Sequence, residues 1–312
     1  KGAMLTHRNI IWTTDALNAV TRYRSDDEVF SYLPLSHIAE RLLSVFVPAR
    51  FGGVVNFVEN VDTVMENLRE VAPTILFGVP RIWEKLYSAV SLHMREVDPV
   101  KRTAYRLTVA VGRRAAPHRR KGRPLPIGLR LLYGLCDLAV LRPLRRRLGL
   151  HRVRSVLSGA APIAPDILGY FWSIGVPIRE IYGQTEGSGP TSVHREGDVR
   201  LGTVGVPLPG VEVRLAQDGE ILVRGGNVFT GYFKDPEATA AALRDGWLHS
   251  GDVGVFDQDG HLRITDRKKD IFITAAGKNI APQYIENKLK FSPYINDAVV
   301  IGDRRRYLVA LI

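Results

Sequence analysis

A polar pentapeptide, Tyr182-Gly183-Gln184-Thr185-Glu186, directly follows an apolar run typical of a buried strand at 178–181. Its residue types suit a nucleotide, because a tyrosine ring stacks on a base, Gly183 lets the backbone approach closely and Thr185 donates to a phosphate oxygen. Glu186 offers a carboxylate to Mg²⁺, directly or through water. Sheets of the α/β type bind ligands at the carboxyl ends of their strands. On its own, the pentapeptide is also compatible with an ordinary polar turn.

Small residues follow a second predicted strand, where the sequence is Ser158-Gly159-Ala160-Ala161-Pro162. A flat base that lies against the backbone requires residues of this size. The same composition also builds ordinary strand-to-helix turns, because small residues and proline are common in such loops. By itself this segment therefore leaves a base-binding site and a plain turn as alternatives.

A third candidate is Asp252, which ends the segment Gly246-Trp247-Leu248-His249-Ser250-Gly251-Asp252. Its two carboxylate oxygens match the two vicinal hydroxyls of a ribose, and Arg267 is able to donate to the same sugar. The simpler alternative is an exposed aspartate and a surface arginine, both of which are commonplace.

Short apolar runs alternate with segments of helical spacing between residues 28 and 182. This alternation predicts an α/β fold with a mostly parallel sheet and crossover helices. The predicted strands are 29–33, 54–58, 74–77, 155–157 and 178–181, and the predicted helices are 36–49, 63–71 and 166–174.

Two segments depart from this pattern. Residues 95–150 predict a basic helical insertion interrupted by Pro117, Pro124, Pro126 and Pro143. Residues 202–266 predict a β-rich subdomain, with hairpin turns at Asp218-Gly219 and Asp259-Gly260. We expect residues 1–266 to be part of one large domain, and residues 267–312 to include the truncated start of a small α+β domain.

The positive charge is concentrated in the insertion. The chain has a net charge of +11, and the stretch from Arg95 to Arg154 alone holds 17 Lys/Arg against 3 Asp/Glu. Such a stretch is compatible with three environments: plain solvent, an anionic membrane surface and nucleic acid. Interleaved leucines and the lack of a nucleic-acid motif favour peripheral membrane contact, and no nucleic acid is expected as a partner.

One cysteine, Cys136, excludes a disulfide framework within one chain. No apolar run is long enough to cross a bilayer. We therefore expect a cytoplasmic protein with peripheral contact at the inner face of the membrane.

The order and the residues of the three candidate segments resemble those of the adenylate-forming, or AMP-binding, superfamily. The resemblance runs from Lys1 to Ile312. Three further motifs resemble long-chain acyl-CoA synthetases: Leu33-Pro34-Leu35-Ser36-His37, Phe77-Gly78-Val79-Pro80-Arg81-Ile82-Trp83-Glu84-Lys85 and Thr274-Ala275-Ala276-Gly277-Lys278-Asn279-Ile280-Ala281-Pro282. By this resemblance the segment that starts at Lys1 is the tail of a phosphate-binding loop. We expect both ends of the parent enzyme to be missing, including the lysine of the adenylation step.

The resemblance implies a role for each candidate residue. It implies ATP-dependent conversion of a long-chain fatty acid to acyl-AMP and transfer to CoA, with Mg²⁺ as metal. The nucleotide residues are Lys1, Gly159, Ala160, Ala161, Tyr182, Gly183, Gln184, Thr185, Asp252 and Arg267. The catalytic and metal residues are Thr185, Glu186 and His37, the hinge is Lys269, and the path for CoA includes Gly277 and Lys278.

Two alternatives remain open at this point. A ligase that loads a carrier protein shares the same nucleotide residues, and a non-catalytic remnant of a split or truncated gene retains them without turnover. The preferred acyl chain length and the oligomeric state are not indicated by the sequence.

Overall fold

The computed structural model describes residues 2–275, 278–290, 292, 294–295 and 297–312. The strands are β1 (Ala3–Met4), β2 (Glu28–Ser31), β3 (Val54–Phe57), β4 (Ile75–Gly78), β5 (Ser155–Ser158), β6 (Ile178–Gln184), β7 (Gly189–Val193), β8 (Val206–Pro207), β9 (Glu212–Leu215), β10 (Glu220–Arg224), β11 (Gly231–Tyr232), β12 (Leu243–Arg244), β13 (Trp247–Phe256), β14 (Leu262–Arg267), β15 (Phe272–Ile273), β16 (Asn279–Ile280), β17 (Val299–Ile301) and β18 (Val309–Leu311). The helices are α1 (His7–Thr21), α2 (Ile38–Arg41), α3 (Val47–Phe51), α4 (Val64–Val71), α5 (Pro80–Glu96), α6 (Pro99–Arg120), α7 (Ile127–Cys136), α8 (Arg142–Arg147), α9 (Pro165–Ser173), α10 (Pro236–Ala242) and α11 (Pro282–Lys290).

A seven-stranded sheet with the order β3-β2-β4-β5-β6-β7-β8 forms the centre of the molecule. Strands β2 to β6 pair in parallel, whereas β7 and β8 are antiparallel. Helix α4 connects β3 to β4, and α9 connects β5 to β6, as parallel pairing requires. The predicted α/β fold with a mostly parallel sheet is confirmed.

Both faces of this sheet are covered by apolar side chains. Leu76, Val156 and Ile178 belong to the core on one face, and their neighbours Ile75 and Leu157 belong to the core on the other. Consecutive residues divide in this way because side chains alternate between the two faces of a strand. The carboxyl ends of the strands are therefore held by packing on both sides.

The insertion is helical, as the sequence predicts, but two of its prolines do not interrupt it. Pro117 lies inside α6, three residues before its end, where its missing N–H removes one backbone hydrogen bond without ending the helix. Pro143 lies in the first turn of α8, which continues from α7 through a π-helical turn at Asp137–Leu141. Pro124 and Pro126 do separate α6 from α7.

The β-rich part forms a second sheet with the order β12-β13-β10-β9, and β14 pairs with β13. Gly219 and Gly260 have φ values of 82° and 81° in the two predicted hairpin turns, a conformation that favours glycine. Beyond β14 the chain forms a hairpin of β15 and β16, helix α11, and the antiparallel pair β17 and β18. The β-rich and α+β character of these segments is as predicted.

A buried polar pair lies beneath the end of β6. The Glu180 backbone N–H donates to His194 Nδ1 at 3.1 Å, and His194 Nε2 lies 2.9 Å from Thr203 Oγ1. Burial raises the pKa of Glu180 to about 8 and lowers that of His194 to about 3. Both side chains are therefore held in their neutral forms near pH 7.

The docking of the insertion depends on a close helix crossing between α6 and α9. A Cβ at Gly112 would fall 2.0 Å from the carbonyl oxygen of Ser173, whereas a Cβ at Gly134 in α7 would meet no atom within 4 Å. We expect Gly112→Ala to lower the free energy of unfolding by about 1–3 kcal/mol. Gly134→Ala, the matched control, should raise it by up to about 1 kcal/mol. Urea unfolding followed by circular dichroism measures both free energies of unfolding. Equal changes in the two variants would contradict the close contact between α6 and α9 at Gly112.

Glu180 should give the protein a distinct pH dependence. Its folded pKa of about 8 lies above the usual 4.5, so the folded state binds the extra proton between these values. The contribution of Glu180 to the free energy of unfolding should therefore fall as pH rises toward 8 and level off above it. We expect Glu180→Gln to reduce this slope, by at most about 1.4 kcal/mol per pH unit. Urea titrations from pH 6.5 to 8.5 test it, with the exposed Glu59→Gln as control; an unchanged slope in Glu180→Gln would contradict the assignment.

Candidate active site

The loops that follow β5 and β6 lie side by side at the carboxyl edge of the sheet. Ser158 pairs with Glu180 in the parallel register, so Gly159 lies beside Ile181. A Cβ at Gly159 would fall 2.6 Å from the carbonyl oxygen of Ile181, which explains the glycine. Ala160 follows with a φ of 71°, a left-handed conformation that is unfavourable for alanine. Strain of this kind is concentrated at functional sites.

Tyr182, Asp252 and Arg267 form a contiguous cluster. The Tyr182 hydroxyl donates to Asp252 Oδ2 at 2.7 Å, and Arg267 Nε lies 3.3 Å from Asp252 Oδ1. Asp252 and Arg267 are cross-strand partners on β13 and β14. Asp252 is buried, and this burial raises its pKa despite the two donors, while Arg267 remains mostly exposed. The residues predicted for the base and the ribose are thus brought together.

Glu186 is held by Tyr232, a residue that the sequence analysis did not single out. The Tyr232 hydroxyl donates to Glu186 Oε1 at 2.6 Å. Burial, and then the neighbouring carboxylate of Glu186, raise the pKa of this hydroxyl. Tyr232 lies on β11 opposite Ala3 of β1, and Gly2 accepts a hydrogen bond from the Phe233 backbone N–H. The start of the chain therefore lies next to Glu186.

The surroundings of Glu186 fit a metal ion that is held mainly by its substrate. Within the described part of the chain, no group of three or more His, Cys, Asp or Glu side chains could hold a metal. Mg²⁺ commonly takes only one or two protein carboxylates and completes its shell with phosphates and water. A carboxylate fixed through one oxygen by Tyr232 is suited to such a site.

The other residues of the pentapeptide have mixed environments. Thr185 is exposed in a short 3₁₀ turn after β6. A Cβ at Gly183 would fall 1.8 Å from the Gly189 carbonyl oxygen. The close approach of β7 is therefore enough to require glycine at this position, without any ligand. Gln184 is half-buried at the end of β6, and Ala161 is exposed in the loop after β5.

His37 caps a helix and also lines an apolar pocket. Its Nδ1 accepts the Ala39 backbone N–H at 3.2 Å at the start of α2, the ordinary capping role of a polar side chain. Leu42, Phe77, Ala160 and Tyr182 also line this pocket. An apolar space therefore meets the predicted nucleotide residues directly.

A buried carboxylate, Glu220, connects the strand of Asp252 to the run that follows Arg267. It accepts the Gly251 backbone N–H at 3.0 Å, and Lys268 Nζ lies 3.2 Å from it. Lys268 also pairs with Asp218 at 2.6 Å. These donors lower the pKa of Glu220 although its burial acts in the opposite direction. Glu220 thus stabilises the geometry on both sides of the Asp252–Arg267 pair.

The remaining predicted residues are not joined to the cluster. Lys269 is exposed directly after Lys268, and Lys278 is exposed in the hairpin of β15 and β16. Among the described residues, no hydrogen bond or ion pair links Lys278 to Tyr182, Asp252 or Glu186. Lys1 and Gly277 lie outside the described residues.

The sequence analysis missed Tyr232, Glu220 and Lys268. Tyr232 and Glu220 lie more than 30 residues from the partners they hold, and neither belongs to a motif that the analysis recognised. Lys268 was within reach, because it lies between the candidate residues Arg267 and Lys269. It directly follows β14, which ends at Arg267.

Two family models match the chain. The model for AMP-binding enzymes matches residues 1–233, and the model for the C-terminal domain of AMP-binding enzymes matches residues 269–312. The first covers most of the chain, including β5, β6 and β11.

Curated relatives match over the whole chain. The fatty-acid–CoA ligase fadD11 of Mycobacterium tuberculosis is 42% identical over 100% of this chain and 55% of its own length. The long-chain-fatty-acid–CoA ligase FadD15 of Mycobacterium bovis is 37% identical, with 52% of its length covered, and ACSBG2 of Xenopus laevis is 36% identical, with 44% covered. The chain spans about half the length of the curated relatives it matches.

Solved structures share the fold. An ATP-bound RpMatB-BxBclM chimera superposes with a TM-score of 0.69 at 25% identity, covering 99% of this chain and 54% of the chimera. A malonyl-CoA ligase in a ternary product complex with methylmalonyl-CoA and AMP superposes with a TM-score of 0.60 at 29% identity, covering 99% and 60%. With the family model that spans residues 1–233, these matches show that the chain belongs to the AMP-binding enzyme family.

Proposed function

We propose that the full-length protein activates a long-chain fatty acid as its acyl-adenylate and transfers the acyl group to CoA. The observation that carries the proposal is the cluster in which Tyr182 and Arg267 both contact the buried Asp252. It places an aromatic ring, a carboxylate with free acceptor sites and a guanidinium within one nucleoside-sized region. The names of the relatives, which are fatty-acid and long-chain-fatty-acid CoA ligases, support the substrate.

The nucleoside would be held by the loops after β5 and β6. The small residues Gly159, Ala160 and Ala161 leave room for a flat base beside the Tyr182 ring, and Gly183 and Gln184 continue that edge. Asp252 and Arg267 would bind the ribose hydroxyls as acceptor and donor. Thr185 is exposed at the start of the next turn, in a position suited to a phosphate oxygen.

The adenylation step follows from the same placement. A carboxylate is a poor electrophile, so the protein must align the fatty-acid oxygen with the α-phosphorus, and pyrophosphate leaves as that bond forms. Mg²⁺ bound beside Glu186 would supply charge neutralisation of the triphosphate. Tyr232 fixes the Glu186 carboxylate, and Thr185 together with Lys1 would hold phosphate oxygens.

The apolar pocket supports a lipid substrate. Leu42 and Phe77 line it together with Tyr182, so an apolar group bound there would lie next to the proposed nucleotide residues. His37 lines the same pocket at the start of α2 and would lie close to the reacting carboxylate.

The second step would transfer the acyl group to the thiol of CoA. We assign the hinge to Lys269, which is exposed beside the anchored Lys268. Rotation of the part beyond the hinge would bring the loop of Gly277 and Lys278 to the path of CoA. AMP leaves as the thiol attacks the acyl carbon.

Product analysis with the full-length protein tests the function. We expect fatty-acid-dependent exchange of pyrophosphate into ATP, and acyl-CoA formation with long-chain acids in the presence of Mg²⁺. Acyl transfer to a holo-carrier protein but not to CoA would reject the second half of the proposal. Absence of both exchange and transfer would reject the whole.

Asp252 should contribute strongly to nucleotide binding. Its replacement in Asp252→Asn removes a charged acceptor, and hydrogen bonds to charged groups contribute about 1.5–3 kcal/mol, so we expect ATP to bind about tenfold to 100-fold more weakly. Calorimetric titration of the full-length protein with ATP measures this change. The exposed Asp62→Asn is the matched control and should bind ATP as the unaltered protein does. Equal affinities of the two variants would contradict the ribose assignment.

Lys268 should affect the two half-reactions unequally. Lys268→Met removes the anchor next to the proposed hinge but leaves the Gly251 bond to Glu220 intact. We expect thioester formation to slow at least about fivefold more than pyrophosphate exchange, because each 1.4 kcal/mol of lost positioning changes a rate tenfold. Lys101→Met, which breaks an exposed ion pair with Asp98, is the control. Equal slowing of both half-reactions would reject a role in domain rotation.

A further inference from the structure

An exposed row of large aliphatic side chains runs along α7 and the π-helical turn that follows it. Ile127, Leu131, Leu135 and Leu138 are 80%, 67%, 68% and 66% exposed, and we call these four residues the apolar stripe. Their spacing of four, four and three residues places them on one side of a helix. At 1.5 Å per residue the stripe is about 17 Å long.

The opposite side of the same helical segment is fixed to the protein. Leu141 is fully buried, and Tyr133 and Leu144 pack against the core that covers one face of the large sheet. Arg145 donates to the Ile174 carbonyl oxygen at 2.8 Å and pairs with Asp137 at 2.7 Å. These contacts determine the rotation of the helix, so the apolar stripe is held facing outward.

The exposed arginines beside the apolar stripe pair with no acidic side chain within the described part of the chain. Arg130 lies beside it, and Arg142, Arg146 and Arg147 follow it in α8, all exposed. From Pro99 to Arg154 the sequence has a single acidic residue, Asp137, and its carboxylate already pairs with Arg145. The outward surface of this helix therefore combines large aliphatic side chains with uncompensated arginines.

We infer that this surface docks on an anionic lipid bilayer, with the apolar stripe among the acyl chains near the headgroups and the arginines on lipid phosphates. A helix with one aliphatic side and flanking basic residues lies in the membrane plane in this way. None of the described helices is long and apolar enough to cross a bilayer. A nucleic-acid partner fits poorly, because four large aliphatic side chains occupy the centre of the surface. The inference does not depend on the proposed ligase activity.

Sedimentation of the full-length protein with vesicles tests the docking. We expect binding to phosphatidylcholine vesicles that contain 30% phosphatidylglycerol, little binding to pure phosphatidylcholine, and loss of binding between 50 and 500 mM KCl. Arg142→Gln with Arg146→Gln should weaken binding at least about tenfold, since each basic residue near such a surface contributes about fivefold. Arg8→Gln with Arg263→Gln, also exposed, is the matched control for charge.

The apolar stripe is tested separately from charge. Leu131→Ser with Leu135→Ser should weaken vesicle binding at least about tenfold, whereas Phe57→Ser with Val61→Ser, at residues 62% and 81% exposed elsewhere, should not. Far-ultraviolet circular dichroism must be unchanged in all variants, as expected for exposed positions. A Leu131→Trp variant reports insertion directly, through a blue-shifted emission that brominated lipids quench.

Three results would overturn the inference. The first is equal vesicle binding by the stripe variants and their control variants. The second is a tryptophan at position 131 that remains in water when the protein is bound to vesicles. The third is an apolar stripe that packs against a second copy of the protein. Analytical ultracentrifugation identifies the last case, because the stripe variants would then dissociate an oligomer and leave vesicle binding unchanged.

Discussion

The hydrogen bond from Tyr182 to the buried carboxylate of Asp252 is the contact on which the arrangement of the site depends. Tyr182 belongs to the large sheet and Asp252 to the second sheet, so this 2.7 Å bond joins the two sheets at the candidate nucleotide residues. The sheets also share one apolar core, to which Leu157 and Leu248 both belong. The antiparallel register of β13 and β14 then places Arg267 opposite Asp252. A change in the packing between the sheets would therefore separate Tyr182 from the Asp252–Arg267 pair.

A second buried carboxylate, Glu220 on the neighbouring strand β10, stabilises this arrangement. Its bonds to Gly251 and Lys268 fix the residues that precede Asp252 and follow Arg267. Two carboxylates within one sheet thus have opposite electrostatic environments. The pKa of Asp252 is raised because desolvation dominates, and that of Glu220 is lowered because its donors outweigh desolvation. Among the described residues, Glu220 is contacted by Gly251, Lys268 and His249, whereas Asp252 is contacted by the side chains of Tyr182 and Arg267.

Much of the fold could be predicted from local pattern. Apolar runs located the strands of the parallel sheet, and Asp-Gly pairs located two hairpin turns, because these signals depend on a few adjacent residues. Pro117 was expected to break a helix but lies within α6, since tertiary packing against α9 outweighs the local penalty. Tyr232 and Glu220 could not be predicted, because their partners come from strands whose pairing no local pattern specifies. Motif residues were easier to find than the residues that hold them.

The bonding capacity of Asp252 shows why a ribose is a suitable ligand for this cluster. An ionised carboxylate has about four acceptor positions, and Tyr182 and Arg267 occupy one each. Two vicinal hydroxyls would fill the remaining positions, one on each oxygen. Their hydrogen bonds stabilise the ionised form and so oppose the desolvation that raises the pKa of Asp252. Ribose binding, as proposed, would therefore add to the donors Tyr182 and Arg267 in offsetting the desolvation of this carboxylate.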